Sequence, residues 1–343
     1  MSSAPSLEQI RALPKVELHC HLDGAVRTNT LFEAARDAGI PLPASAPAAS
    51  PEELAPHVQV SAGCQSLNEF LVTFDTFYPV LSVPGLMERV AHEVLLDAAD
   101  DGIAHRELRF CPALQASDAQ SMSDVLHDVL RGLESGARES GVSWGLILSL
   151  YRPIPVAQND AIVSLALDAR DRGVVGIDLA GPEDLPGAPN AAAFARARDA
   201  GLPITVHAGE AAGPDSIREA IDLLSAQRLG HGVALRQDAA LASDVASRGI
   251  ALECCPTSNV QTAAVAALDE HPFADFRDAG QRVTLNTDDP AVCGITLSHE
   301  YALAAQQWQL SLDDLRALSL AAADAAFLSD TQRAALKQRV LAG

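Results

Sequence analysis

The sequence contains very little lysine, few aromatic residues and no long hydrophobic run. Only Lys15 and Lys337 occur among its 343 residues, and aromatic residues make up 4% of the chain. No apolar run approaches the roughly 20 residues that cross a bilayer, and residues 1–13 lack the basic and apolar regions of a signal peptide. The six cysteines include no Cys-x2-Cys pair and do not form a disulfide framework. These absences favour a reduced, cytoplasmic setting.

Positive charge is scarce as well. The chain has 24 basic residues against 45 acidic residues, which gives a net charge of −21 at pH 7. An acidic surface repels phosphate backbones and anionic lipids, so neither nucleic acid nor a membrane is expected as a partner. The alternative explanation for most of this charge is solubility alone. The sequence carries no signal for an oligomeric state.

Short apolar runs recur along the chain and alternate with segments of helical periodicity. The runs predict eight strands: Lys15–Cys20, His105–Phe110, Ser143–Leu150, Val174–Leu179, Pro203–His207, Arg228–Gly230, Ile250–Cys254 and Arg282–Asn286. Glycines at 102, 141, 173, 201 and 249 stand shortly before strands, where helices commonly end. Eight alternating β and α units, with strands apolar enough to be buried on both faces, predict a (β/α)8 barrel of the TIM type. With 48% hydrophobic residues, residues 1–343 are expected to form a single domain.

The segment after the first strand breaks this alternation. Residues 40–66 are rich in Pro, Ala and Ser, a helix is predicted over Leu67–Tyr78, and the second strand is delayed until about residue 106. Loops that follow the strands build the active site of such barrels, so the insertion at about residues 40–100 is a candidate helical lid. A surface elaboration without function is the alternative.

Histidine and carboxylate side chains stand at the ends of five predicted strands. They are His19 and His21 on strand one, Asp178 on strand four, His207 and Glu210 on strand five, His231 on strand six, and Asp288 and Asp289 on strand eight. Each has a structural alternative, for example a helix cap at Asp289 or a first-turn carboxylate at Glu210. Because the C-terminal ends of barrel strands meet at one rim, their joint occurrence predicts an active site.

The two histidines of the first strand predict half of a metal site. Successive strand side chains point to opposite faces, so His19 and His21 share one face while Cys20 points to the other. Imidazoles combined with a carboxylate, without a thiolate, suit a catalytic divalent cation. Zinc is the expected metal, and iron, manganese and nickel remain alternatives.

Five ordered motifs resemble those of the adenosine deaminase family of amidohydrolase barrels, over nearly the full length. They are Lys15–Gly24 (KVELHCHLDG), Gly176–Gly181 (GIDLAG), Val206–Glu210 (VHAGE), Arg228–Gly232 (RLGHG) and Leu285–Pro290 (LNTDDP). Phe70-Leu71 and Phe74-Asp75 resemble the family's lid helix over the purine. The resemblance implies hydrolytic deamination of a small purine nucleoside, adenosine or 2′-deoxyadenosine, to the 6-oxo product and ammonia.

The resemblance also implies the metal and the catalytic residues. One Zn2+ per chain would be held by His19, His21, His207 and Asp288, and would activate a water molecule for attack at C6 of the purine. His231 and Asp289 would orient this water and help to deprotonate it. Glu210 would protonate N1 of the ring, a role that needs a carboxyl with a raised pKa.

Four residues are implied to contact the substrate: His21, Asp23, the backbone of Gly181, and Asp289. A carboxylate at Asp23 suits a ribose hydroxyl, whereas relatives that use the free base resemble this motif with Glu in its place. A glycine at position 181 would let the backbone approach the ring edge closely.

Three alternatives stay open. Related deaminases of adenine, of aminodeoxyfutalosine or of N6-methylated nucleotides share the metal motifs. A different metal hydrolase on the same barrel usually uses a modified Lys at strand four, where this chain has Asp178 and no Lys. A relative that only binds or signals would have lost Glu210 or a metal ligand, and all of these are present.

Overall fold

Eight parallel strands alternate with helices in a computed structural model of the protein, which describes residues 4–343. The strands are β1 Lys15–His21, β2 Ile103–Phe110, β3 Ser143–Tyr151, β4 Val174–Ala180, β5 Thr205–Ala208, β6 Arg228–His231, β7 Ala251–Cys254 and β8 Arg282–Leu285. All eight predicted strands are present, with ends that differ by one or two residues. The predicted (β/α)8 fold is confirmed.

The strands form two four-stranded parallel sheets that close on one another. One sheet has the order β1-β2-β3-β4 and the other β5-β6-β7-β8. Parallel bridges join Ile177 to Ile204 on one side and Cys20 to Asp288 on the other. The second bridge is a pair of backbone hydrogen bonds, because Asp288 accepts from the N–H of His21 at 2.7 Å and donates to the carbonyl of His19 at 3.0 Å. Closure therefore places the end of β8 beside the end of β1.

Helices cover the outside of the barrel. Within residues 4–343 the α-helices are α1 Leu7–Ala12, α2 Thr28–Ala38, α3 Pro51–Val58, α4 Leu67–Asp75, α5 Tyr78–Leu81, α6 Leu86–Asp100, α7 Pro112–Gln115, α8 Met122–Ser140, α9 Val156–Asp168, α10 Ala191–Asp199, α11 Pro214–Arg218, α12 Ala239–Ser247, α13 Pro256–Gln261, α14 Phe273–Asp278, α15 Pro290–Cys293, α16 Leu297–Gln307, α17 Leu312–Ala325 and α18 Asp330–Ala342. No helix of the described residues is long and apolar enough to cross a membrane.

Two predicted elements differ from the structure in a way that has a physical reason or a clear break. The helix expected over Leu67–Tyr78 is two helices, α4 and α5, separated at Thr76–Phe77. Strand β8 ends before Asn286, because the Asn286 side chain takes over the pairing: its Oδ1 accepts from Leu18 N at 2.9 Å and its Nδ2 donates to Cys254 O at 3.2 Å.

The inside of the barrel is charged rather than purely apolar, which the near-continuous hydrophobic strands do not predict. Arg109, Arg228 and Glu253 are all buried there. Glu253 Oε2 accepts from Arg109 Nη2 at 2.7 Å, and Glu253 Oε1 lies 2.7 Å from Arg228 Nε. Buried charges are tolerated when opposite charges lie beside them, and both guanidinium groups are paired with Glu253. This layer forms the floor beneath the rim.

Candidate active site

The C-terminal rim of the barrel brings the predicted side chains of β1, β5, β6 and the β8 end together. Ligand atoms of His19, His207, His231 and Asp288 all lie within 4.8 Å of one another. His21 belongs to the same group, since its Nε2 lies 3.1 Å from His207 Nε2 and 3.5 Å from Asp288 Oδ1. These five side chains converge on one point.

The chemistry of this group fits a divalent cation. His19 Nε2 is buried and has no hydrogen-bond partner, although it lies 3.0 Å from Asp288 Oδ1. Two imidazole nitrogens, from His21 and His207, face each other at 3.1 Å. Buried polar atoms are normally satisfied, and a cation shared by these nitrogens and the carboxylate would satisfy all of them.

Outer carboxylates orient two of the imidazoles. His19 Nδ1 lies 2.9 Å from Glu253 Oε2, and His207 Nδ1 lies 3.0 Å from Asp178 Oδ1. A carboxylate can only accept, so each Nδ1 carries the proton and each Nε2 presents its lone pair to the shared point. Such outer partners fix ring orientation and raise ligand basicity at metal sites.

The charges of these outer carboxylates are held by basic neighbours. Burial alone would raise the pKa of Glu253, but the guanidinium groups of Arg109 and Arg228 hold it well below its usual range. Burial opposes ionisation of Asp178 in the same way, and His207 together with Arg109 lowers its pKa. Asp288, in turn, accepts from Ser258 Oγ at 2.6 Å. Both outer carboxylates are therefore ionised acceptors.

Glu210 lies at the same pocket in a very different environment. Burial, the Asp288 carboxylate and the Glu183 carboxylate raise its pKa to about 8. Its Oε1 accepts from Thr262 Oγ1 at 2.9 Å, and its Oε2 lies 3.4 Å from His231 Nε2. A carboxyl with this pKa is protonated at neutral pH and can give its proton to a base in the pocket.

The loop that carries Glu210 is held by a second carboxylate, Glu183. Glu183 accepts four consecutive backbone N–H groups, from Gly209 at 2.7 Å to Ala212 at 2.7 Å, and also Ser216 Oγ at 3.1 Å. A ring of backbone N–H groups is an anion-binding concavity. Glu183 therefore fixes the path of the chain through Glu210.

Asp23 and Asp289 both line the pocket, and each has one buried carboxylate oxygen without a hydrogen-bond partner. Asp23 Oδ2 accepts from Gln115 Nε2 at 3.1 Å and from Tyr78 Oη at 3.3 Å, while its buried Oδ1 has no partner. Asp289 Oδ1 is likewise buried without a partner. Strand β1 ends at His21, and Asp23 stands on a 3-10 turn, Asp23–Ala25, so it reaches the rim by a turn and not by continued strand geometry.

Helix α4 forms part of the wall of a pocket beside these groups. Eight of the candidate residues line it: His21, Asp23, Gly181, His207, Glu210, His231, Asp288 and Asp289. Its apolar wall comes from Leu67, Phe70, Leu71 and Phe74 of α4. Gly181 has φ +97°, and a Cβ there would lie 2.7 Å from the Tyr151 ring, so the turn needs glycine at this position. An apolar pocket with convergent polar groups is the usual form of a small-molecule site.

Several residues of the site escape sequence reasoning. Glu253 lies within β7, and Ser258 and Asn259 follow that strand in the run ECCPTSN. A carboxylate within an apolar barrel strand was an available signal for Glu253. His271 and Glu183 carry no local signal, because their partners are distant in sequence.

Comparison with known proteins supports one class. A family model described as adenosine deaminase matches residues 14–342. An adenosine deaminase from Klebsiella pneumoniae is 42% identical over 334 residues, which cover 97% of this chain and 99% of the relative. An N6-mAMP deaminase from Arabidopsis is 32% identical with a TM-score of 0.87, covering 98% of this chain and 100% of that chain.

Two further solved structures are also similar. The adenine deaminase of Arthrobacter aurescens is 27% identical with a TM-score of 0.86, covering 96% of this chain and 99% of that chain. An amidohydrolase from Burkholderia ambifaria with bound Zn is 27% identical with a TM-score of 0.86, covering 100% of this chain and 96% of that chain.

A parallel barrel with histidines and an aspartate at its C-terminal rim defines an amidohydrolase-type, metal-dependent hydrolase. The match over nearly the whole chain is more specific. The chain belongs to the adenosine deaminase family, and it is a hydrolytic deaminase.

Proposed function

We propose that this deaminase acts on adenosine and 2′-deoxyadenosine and produces the corresponding inosine nucleosides and ammonia. The observation that carries the proposal is the buried Asp23 carboxylate, whose Oδ2 is held by Tyr78 and Gln115 while Oδ1 has no partner. A buried acceptor facing a pocket calls for a donor on the substrate. A ribose hydroxyl supplies it, and the 5′-hydroxyl is common to both nucleosides.

Zn2+ is the metal we propose, held by His19, His21, His207 and Asp288. The bound zinc in the Burkholderia ambifaria amidohydrolase supports this choice, as does the mixed imidazole and carboxylate set. When bound, the cation lowers the pKa of a water molecule toward neutrality. Metal analysis should find about one divalent ion per chain, and His207→Ala should lose it.

The chain's own residues supply the remaining chemistry. Asp289 and His231 line the pocket beside the proposed metal ligands, where they would orient the water toward C6 of the purine and help to deprotonate it. Glu210, protonated at neutral pH, gives its proton to N1 as the oxygen adds at C6, so that no negative charge accumulates on the ring. His21, Asp23, Asp289 and the Gly181 backbone hold the nucleoside. The proton taken from the water would then pass to the 6-amino group, which leaves as ammonia. The hydroxyl proton remaining on the oxygen at C6 would return to Glu210, which leaves the 6-oxo purine.

A substrate panel tests the proposal. Purified enzyme would be assayed with adenosine, 2′-deoxyadenosine, adenine, AMP and aminodeoxyfutalosine, and kcat/KM for ammonia release compared. A site built to pair a substrate hydroxyl rejects an analogue without it by about 10⁴-fold, so adenine should be poorer by that order. AMP should also be poor, because its phosphate would approach the Asp23 carboxylate.

Asp23→Ala provides the matching variant, with the exposed Asp215→Asn as its control. Asp23→Ala should retain metal and erode the preference for nucleoside over adenine, whereas Asp215→Asn should behave as wild type. A higher kcat/KM for adenine, AMP or aminodeoxyfutalosine than for adenosine would contradict the proposed substrate. The assignment of the protein as a deaminase would still stand.

A further inference from the structure

A chain of hydrogen bonds leads from a backbone amide to His231. The N–H of Phe273 donates to His271 Nδ1 at 3.1 Å, and His271 Nε2 lies 3.1 Å from Asn259 Oδ1. Asn259 Nδ2 then lies 2.9 Å from His231 Nδ1. Asn259, His231 and His271 are at most 5% exposed, so water does not compete for these bonds.

The donor and acceptor of every hydrogen bond in this series follow from the first one, in which the Phe273 N–H donates. A backbone N–H can only donate, so His271 Nδ1 accepts and the neutral His271 ring carries its proton on Nε2. Burial, followed by the charge of Arg236, lowers the pKa of His271 to about 3, which keeps the ring neutral. His271 Nε2 therefore donates to Asn259 Oδ1. The Asn259 amide is thereby turned so that its NH2 group donates to His231 Nδ1.

We propose that Asn259 and His271 are positioning residues that hold His231 as the tautomer with its proton on Nε2. This inference rests on the proposed function only for its catalytic consequence. It sets His231 apart from His19 and His207, whose Nδ1 atoms face carboxylates and whose Nε2 atoms are therefore free to bind a cation. His231 lies as close to the shared point as they do, but its Nε2 lone pair is occupied by a proton.

The consequence concerns the attacking water. With Nε2 protonated and Nδ1 blocked by the Asn259 NH2 group, His231 cannot accept a proton from the water oxygen. It donates a hydrogen bond to that oxygen, orients it and stabilises its negative charge. Of the two residues expected to help deprotonate the attacking water, His231 and Asp289, only Asp289 is then left to accept its proton. Neither Asn259 nor His271 lines the pocket, so both act through His231 and not on the substrate.

Asn259→Asp reverses the direction of the chain while preserving its contacts. A carboxylate accepts from both neighbouring rings, so His231 would move its proton to Nδ1 and expose a bare Nε2 to the water. An imidazole held as the wrong tautomer costs roughly 10²–10⁴-fold in kcat in other hydrolases. We expect a loss of that order with KM changed by less than about threefold. Asn190→Asp, which also converts a buried acceptor amide to a carboxylate but lies outside the pocket, should leave kcat unchanged.

His271 variants keep the inference testable if Asn259→Asp folds poorly. His271→Gln can still donate to Asn259 Oδ1 and should retain kcat within about tenfold. His271→Ala frees the amide to rotate and should lower kcat further, so rescue by Gln distinguishes a donor requirement from simple loss of volume. Equal losses in the two variants, or wild-type kcat in His271→Ala, would contradict the inference.

A spectroscopic readout needs no turnover. In the zinc-loaded enzyme labelled with 15N-histidine, and with His231→Gln used for assignment, the Nε2 of His231 should be protonated and Nδ1 unprotonated. The pattern should reverse in Asn259→Asp. A protonated Nδ1 in the wild-type enzyme would overturn the inference. Kinetic comparisons of the variants would use whichever purine of the substrate panel is turned over fastest. If adenosine is not the substrate, the panel will show it, and the protonation state of His231 measured by NMR will be unaffected.

Discussion

Glu210 and Asp178 are buried carboxyl groups at the same rim, and their neighbours give them opposite properties. Glu210 has carboxylates beside it, and burial together with their charges raises its pKa to about 8. Asp178 faces His207 and Arg109, which lower its pKa despite burial. One group is therefore suited to give a proton, and the other to orient an imidazole by accepting from it.

This contrast predicts two separable defects. Glu210→Gln keeps the shape of the side chain but cannot donate an acidic proton, so it should retain metal and lose about 10²–10⁴-fold in kcat. Asp178→Asn replaces the charged, acceptor-only partner of His207 Nδ1 with a neutral amide, so the metal affinity of the variant should fall by about 10–100-fold. Metal content after dialysis against a chelator series, measured alongside kcat at saturating metal, distinguishes the two.

Glu300→Gln is the matched control for both variants. Glu300 is equally buried but contacts Thr257 and no ligand of the proposed metal site, so metal affinity and kcat should stay at wild-type levels. Glu210→Gln with wild-type kcat would show that the Glu210 carboxyl takes no part in proton transfer. Asp178→Asn with unchanged metal affinity would remove its assigned role in orienting His207.

Sequence predicts the residues of this rim unevenly. Histidine residues that directly end a strand, such as His21 and His231, can be found because the strand pattern around them is local. Asn259, His271 and Glu183 cannot be found in this way. Their proposed roles depend on partners at least 12 residues away in sequence, which only the folded chain brings within 3.1 Å. Hydrogen-bond direction is a property of the assembled network.

At the scale of elements, helix α4 illustrates what a local pattern can and cannot predict. Its amphipathic sequence predicts a helix. The sequence does not predict the break before α5, because Thr76 and Phe77 carry no strong helix-ending signal. Phe70 and Phe74 are 1% and 4% exposed at the pocket wall, whereas Val72 on the opposite face is 61% exposed. One face of α4 is therefore available to pack on a bound purine.

The lid hypothesis predicts a face-specific effect in α4. Phe74→Ala removes apolar surface over the proposed purine site and should lower kcat/KM by about 10–100-fold, corresponding to roughly 1–3 kcal/mol of lost contact. Val72→Ala changes the exposed face of the same helix and should have no measurable effect. Amide exchange in α4 should slow when a product nucleoside binds. Equal kinetic effects of the two variants, or exchange unaffected by ligand, would argue that α4 is a fixed wall.

At the scale of the whole molecule, the alternation of strands and helices predicted the barrel, and the insertion after β1 was visible as a delay before β2. The charged layer inside the barrel was not predictable from hydropathy, because Arg109, Arg228 and Glu253 compensate one another only after eight strands close. Loss of one partner of such a buried pair leaves the other charge uncompensated and destabilises the folded protein. Buried carboxyls without a cationic partner should instead make stability depend on pH.

Glu300 in helix α16 is a group of that kind. Burial raises its pKa from 4.5 to about 7, and its contacts are hydrogen bonds from Thr257. Between about pH 4.5 and 7 the unfolded chain has released this proton while the folded protein retains it, so the free energy of unfolding falls as pH rises. At about 1.4 kcal/mol per pH unit the loss is on the order of 3 kcal/mol.

Glu300→Gln mimics the protonated acid and cannot ionise. Its free energy of unfolding relative to wild type should therefore rise between about pH 4.5 and 7 and level off above that range. Urea unfolding of both proteins at half-unit pH steps measures this difference, in which titration of the metal site cancels because it is common to both. Parallel stability curves would mean that Glu300 ionises in the folded protein at its ordinary pKa.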